Sequence, residues 1–530
     1  MTRTILTAVI MILLLPLTAA ADHHRRGPGC WRTVPARRMA LTRSVAPDKS
    51  TRYQGKRKGL VILAEFTDRE FLFNHGRQKY NDILNAPGYT TSEGFQGSVA
   101  DYFRDQSGGL FELTFDVVGP YTAKNNVSYY GRNNRNGYDL NIHELIAEMC
   151  NMADEEVDFA DYDWDGDGEV EEVFIIYAGK GEADTGISNN IYPHMWTLEE
   201  AGLKQGLTLD GKHISVYACS NELNTYGRIC GIGIICHEFS HCMGLPDFYD
   251  ITYSGQFGMS GFDLMDNGNN SGSGFTPVNY TAYERMVCGW QQPIVLSDKD
   301  VSIDSLKPIG EQGETYIIYN DGHPDEFYMI ENRQRTGWDK NYPAEGLMIT
   351  HVDYDYNIWK DNYPNSILTE IEAGAFGGTV ANDHQRMTLF HADNEDDYQY
   401  WNAFSSHYSR KTEASDLYPY RQNDSLTTTS APAATLFNKN SLGTKLMQGA
   451  ILNIKQNDDG TMSFYYRAGQ QAGTSVGEAI RETEAPTLPR RIYTLDGRSV
   501  RNADAFGGRN ADATSLGHGI YIVDGKKVVR

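Results

Sequence analysis

The sequence predicts an α+β protein in three unequal parts. A unit built on a mixed sheet with one functional helix is followed by a β-rich part and then by a small all-β module at the C terminus. Three observations lead there. Continuous apolar runs at Gly59–Phe66 and Val170–Ala178 have the length and composition of buried strands, and they alternate with segments of helical spacing. From about residue 301 the pattern turns to short β-rich runs. Residues 469–489, rich in Gly, Ala, Thr, Glu and Pro, then read as a linker before a last stretch at 490–530. A chain of 530 residues exceeds one typical core and suits several such units.

The elements follow in order. Arg3, the apolar run Ile5–Leu17 and the small residues Thr18–Ala21 make residues 1–21 a secretory signal peptide. The run is too short to span a bilayer, and no later stretch reaches the roughly 18 apolar residues that a span needs. The mature protein is therefore expected to be secreted, with no stable transmembrane insertion. Residues 22–58 carry eleven Lys/Arg against two acids and read as a basic propeptide or leader. In residues 59–300, strands are expected at Gly59–Phe66, Leu110–Val118, Val170–Ala178 and His213–Cys219. Helices are expected at Gly97–Gln106, Asp139–Ala153 and Gly231–Gly244. The β-rich part at 301–468 holds runs at Thr315–Asn320, Glu326–Asn332, Gly346–Val352 and Thr461–Arg467. The terminal module at 490–530 rests on Arg491–Arg498 and Gly519–Val529.

Lys+Arg 47 against Asp+Glu 70 gives a net charge of −23. Nucleic acid is a poor partner for such a chain, because phosphate binding leaves a basic footprint. Seven cysteines in an exported chain leave at least one unpaired, and Cys219 with Cys230 has the spacing to close a short loop.

The segment from His237 to Asp247 carries the chemistry. His237 and His241 are four apart, so on a helix both imidazoles lie on one face and reach a single zinc ion. Glu238 sits beside the first of them, placed to take a proton from a catalytic water. Gly244 and Pro246 end the helix and turn the chain back, which brings Asp247 toward the same metal; Asp250 is an alternative. Two His and one carboxylate leave a fourth position open, the layout of a catalytic zinc site. A structural site using the flanking Cys236 and Cys242 is disfavoured, since adjacent helical residues point about 100° apart.

A second metal signal runs from Asp161 to Glu172. It fits a calcium loop in two registers, both using Asp163, Asp165 and Asp167, and the first ends on Glu172. Crowded carboxylates repel one another, so a structural Ca2+ is the expected compensation. A strand follows, not a helix, which argues against an EF-hand switch.

These residues resemble the zincin-type metallopeptidases, most specifically the immune inhibitor A-like secreted peptidases. The resemblance extends to Gly97–Phe103, Tyr162–Gly168, Ile176–Gly179, Pro193–His194, Phe262–Asp266, Gly289–Trp290, Glu331–Arg333 and Gly346–Asp353, and so covers roughly 59–465. It implies a zincin-like catalytic domain over 59–300 with 301–468 as its accessory part. It also implies zinc on His237 and His241, Glu238 as general base, Met265 as a Met-turn beneath the metal, and protein or peptide substrates. Asp247 stands where the metzincin pattern has a third His, and Asn267 where a Tyr often follows the Met-turn. The residue steadying the oxyanion is therefore open among Tyr280, Tyr283, His194 and His351. The terminal module resembles a type IX secretion sorting tail and implies cell-surface attachment. The rival reading is a non-catalytic, calcium-stabilised binding protein on a zincin scaffold.

Overall fold

The structure, a computed structural model, describes residues 53–469 apart from 376, 397–399, 403–406 and 410–412, and beyond them three short backbone segments. The signal peptide expected at 1–21 lies outside the described residues, as do nearly all of the leader at 22–58, nearly all of the linker at 469–489 and most of the module at 490–530. The three segments, Ile492–Thr494, Ile520–Val523 and Lys526–Val529, pair antiparallel. Among the described residues no helix is long and apolar enough to cross a membrane.

The chain is mixed α/β, with several sheets and few helices. Its first sheet contains β1 (Gly55–Glu65), β2 (Phe111–Thr122), β3 (Val173–Lys180), β4 (His194–Thr197) and β5 (Val216–Leu223), in the order β2-β1-β3-β5-β4. The first four in that order run parallel, and β4 pairs antiparallel with β5 at the edge. β1 starts at Gly55, ahead of the start expected at 59. β5 is displaced from the expected His213–Cys219, because Lys212–Ile214 forms a separate short hairpin with Leu207–Leu209.

The buried stretches of β1 (residues 59–64) and β3 (residues 173–178) are apolar without interruption because both sheet faces are covered there. Leu60, Ile62, Val173 and Ile175 face Leu145, Ile146 and Met149 of the helix Ile142–Ala153. Val61, Leu63, Phe174 and Ile176 face the other layer, which includes α2 (Val99–Gln106, after α1 at Arg77–Asn85). A capping box formed by Ser98 and Asp101 starts α2, satisfying its first free amides.

The second sheet runs Met387–Leu389, Gly346–Asp353, Glu326–Arg333, Tyr316–Tyr319, Ile294–Val295. Its period-2 alternation divides two cores. Tyr328, Ile330, Leu347 and Ile349 face a three-stranded sheet of Ala450–Gln456, Met462–Arg467 and Val301–Leu306. Phe327, Met329, Met348 and Val352 face the first half of the chain, where they share a core with Phe248, Met265 and Tyr283. The β-rich part is thus built into the back of the functional region.

Candidate metal centre

The helix α4 (Gly233–Cys242, following the helix Ile142–Ala153 as α3) carries both histidines. It lies unusually close to the turn at 267–274: a Cβ on Gly233 would sit 1.8 Å from the Asn269 carbonyl oxygen, so only glycine fits there. Phe239 anchors the helix against Phe103 and Phe115, with ring centroids at 5.2 Å and 5.7 Å. Gly244 follows with φ +89°, and the Leu245 amide folds back to the Ser240 carbonyl. This left-handed ending is what glycine allows, and it reverses the chain toward Asp247.

The turn brings three ligating atoms together. The Nε2 atoms of His237 and His241 lie 3.2 Å and 3.3 Å from Asp247 Oδ1. Each ring is held by its other nitrogen: His237 Nδ1 is 2.9 Å from the Leu264 carbonyl, and His241 Nδ1 is 2.7 Å from the Leu245 carbonyl. A carbonyl can only accept, so both Nδ1 atoms carry the proton and both Nε2 lone pairs point at the shared space. Burial holds the His237 imidazole below its ordinary pKa, which favours the neutral, ligating form. Asp247 is drawn down by the two histidines against the opposing effect of burial. Met265, expected as a Met-turn, is fully buried, and its carbonyl accepts from the Phe248 amide at 2.8 Å, tying its turn to the loop that carries Asp247.

Glu238 is fully buried and neither of its carboxylate oxygens has a hydrogen-bond partner; Asp247 Oδ1 and His241 Nε2 also lack one. Buried polar atoms are rarely left so. Burial pushes the Glu238 carboxyl well up, and Asp247 and Glu172 add to the rise. Two inward-facing imidazole nitrogens, one carboxylate and a further unpartnered acid are a donor set that fits zinc.

The other expected residues fall elsewhere. Asp250, the alternative third ligand, lies outside the convergent group, and Thr252, Ser254, Gly255 and Ser366 donate to its two oxygens. Among the described residues no cysteine joins the cluster. Among the oxyanion candidates, His194 is bound to Tyr217, His351 to Glu326, and Tyr280 to Ser240. Tyr283 is buried between Phe248 and Trp359. All six described cysteines are free thiols, so the Cys219–Cys230 pairing is not made.

The acidic loop departs from the expected ligand set in two positions. Asp163 and Asp165 converge with Glu171, not with Glu172, and Asp167 stands outside that group. The chain is entering β3, where successive side chains point to opposite sides. Glu171 therefore turns back to the loop, where it accepts from the Trp164 amide, while Glu172 is buried toward Cys242 and pushed up to about 8 by desolvation. Lys212 Nζ lies 2.9 Å from Asp163 Oδ2 and occupies part of this acidic group. Trp164, from the same loop, packs on Phe239 of α4 at 6.0 Å.

One partner of the site escapes sequence reasoning. Asn362, from beyond the first sheet, donates to Asp247 Oδ2 at 2.8 Å and accepts from the Asp247 amide at 2.7 Å.

Comparison with known proteins agrees with this geometry. Residues 50–292 match the family model of the immune inhibitor A peptidase M6 catalytic domain. The chain is 27% identical over 267 residues to the pre-pro-metalloprotease PrtV of Vibrio cholerae, covering 43% of this chain and 29% of that protein. It is 26% identical over 290 residues to immune inhibitor A of Bacillus thuringiensis subsp. alesti, covering 44% of this chain and 40% of that protein. The chain thus spans less than half the length of these curated relatives.

Proposed function

We propose that this chain, whose residues 50–292 match the family model of the immune inhibitor A peptidase M6 catalytic domain, is a member of that family and a secreted zinc-dependent endopeptidase acting on protein or peptide substrates. The observation that carries this reading is the convergence of His237 Nε2, His241 Nε2 and Asp247 Oδ1 beside the unpartnered Glu238 carboxyl. A zinc ion held by those three residues would supply a Lewis acid that acidifies water and polarises a peptide carbonyl. Leu264 and Leu245 hold the two rings in the ligating tautomer. Glu238 takes a proton from the attacking water and returns it to the leaving amine. The site's burial excludes bulk water, which strengthens each of these interactions.

The reading includes residues 1–21 as a signal peptide, a leader that ends before β1 at Gly55 rather than at the expected 58, the catalytic domain from there to 300 with 301–468 as its accessory part, and a sorting-like module at 490–530 reached through a linker at 469–489. Digestion of an unfolded protein substrate by the purified mature chain tests it. Cleavage is expected, with loss on chelation and recovery on adding zinc. Equal digestion with and without chelator overturns it, and no digestion by the zinc-loaded chain favours the non-catalytic binding protein.

A structural calcium ion at Asp163, Asp165 and Glu171 belongs to the same reading, with Lys212 giving up its contact to Asp163. Calcium at a hundredfold excess over Kd is expected to stabilise the fold by about 2.7 kcal/mol. Asp165→Asn is expected to remove that gain. Identical thermal midpoints with and without calcium would exclude the site.

A further inference from the structure

Asp247 is the one metal-facing residue that α4 does not itself position, and the contact that holds it comes from far along the chain. Asn362 ends the short helix Tyr356–Lys360, whose first turn is capped by Asp355. It adopts φ +62° just past the helix, a place where glycine is the usual residue because the conformation is left-handed. Glycine would end the helix equally well, but Asn adds an amide; the residue is 3% exposed and its amide is aimed at Asp247.

The chemistry of the two bonds fixes their direction. The Asp247 backbone amide can only donate and its carboxylate oxygen only accept, so Asn362 Oδ1 faces the former and Nδ2 the latter. The pair closes a ring that locks the Asp247 side chain. With Oδ2 held, Oδ1 is the oxygen left facing the two imidazoles. The neighbouring residues hold the same register: Asn365 donates to the Phe248 carbonyl at 2.7 Å and Ser366 to Asp250 at 2.8 Å. Residues 362–366 thus form a template against 247–250, and they lie outside the segment 50–292 that matches the peptidase family model.

We propose that Asn362 is a positioning residue for the third metal ligand, so that the metal centre is completed by the β-rich half of the chain. This rests on the zinc reading of the site given above. Partners that orient ligands typically contribute 10- to 100-fold in metal affinity. The test uses the full chain carrying Asn362→Gly, which keeps the helix ending and deletes only the amide. Asn362→Asp serves as a second variant that keeps the acceptor and loses the donor.

Zinc affinity is measured by competition with a chromogenic chelator, and geometry from the visible absorption of the cobalt-substituted protein. The glycine variant is expected to fold with a thermal midpoint close to that of the parent, and the aspartate variant to fold with a lower one, since it buries a second carboxyl against Asp247. They are expected to bind zinc 10- to 100-fold more weakly, to show an altered cobalt spectrum, and to lose kcat more than they change KM. Parental zinc affinity and cobalt spectrum in either folded variant overturns the proposal and leaves the site reading standing. If the parent chain itself fails to bind one zinc, or binds it equally after His241→Ala, the site reading falls and the proposal with it.

Discussion

Replacing Glu238 by Gln is expected to lower kcat/KM for peptide hydrolysis by about 10^2- to 10^4-fold, the usual contribution of a positioned general base, while zinc content stays unchanged. The direction of the stability change makes the experiment diagnostic. Glu238 is fully buried, and no hydrogen bond is lost when its carboxyl becomes an amide. Burial and the nearby Asp247 and Glu172 already disfavour its charged form. The neutral isostere removes that penalty, so the thermal midpoint is expected to hold or rise as activity falls. Such an exchange of stability for activity marks a residue kept for function. Steady-state kinetics, metal analysis and thermal unfolding of one preparation decide the matter. A variant that retains more than a tenth of the parental rate would remove Glu238 from the proton-transfer role.

What the sequence disclosed and what it withheld divide along one physical line: whether the information is local. His237, Glu238, His241, Gly244 and Asp247 fall within one turn of helix and one reversal, so periodicity and the left-handed preference of glycine locate them together. The apolar runs of β1 and β3 were visible because both faces are covered and no alternation interrupts them. Asn362 carries no such signal, since its partner is 115 positions away and its left-handed conformation follows a helix of only five residues. The choice between Glu171 and Glu172 turns on where a loop becomes a strand, and a one-residue shift reverses every side chain. The hydroxyls and imidazoles considered for the oxyanion were candidates by type alone, and packing commits most of them to other partners.

The second large effect is expected at the seam between the two halves. Arg333 is fully buried. Its Nε lies 2.6 Å from Glu331, its Nη1 3.0 Å from Asp339 and 3.1 Å from the Asn279 carbonyl, and its guanidinium covers the Tyr342 ring at 4.9 Å. Glu331 in turn accepts the Ala282 amide at 2.5 Å, at the start of the helix Ala282–Val287. Two further buried acids, Asp263 and Glu284, are close by and are raised by desolvation, with the positive charge of Arg333 opposing the rise in both. Arg333→Met fills similar volume but leaves these carboxyls uncompensated, so the fold is expected to lose about 3–5 kcal/mol. The loss should shrink in acid, where carboxyls left without their cation take up protons and the buried charge disappears. The damage should also reach the metal. Tyr342 donates to the Phe262 carbonyl at 2.7 Å, and Phe262 begins the turn whose Leu264 carbonyl holds His237. Denaturant unfolding at neutral and acidic pH measures the first effect, and zinc affinity of the surviving folded fraction the second. A neutral-pH stability within about 1 kcal/mol of the parent would show that the cluster contributes far less than a buried ion network of this kind.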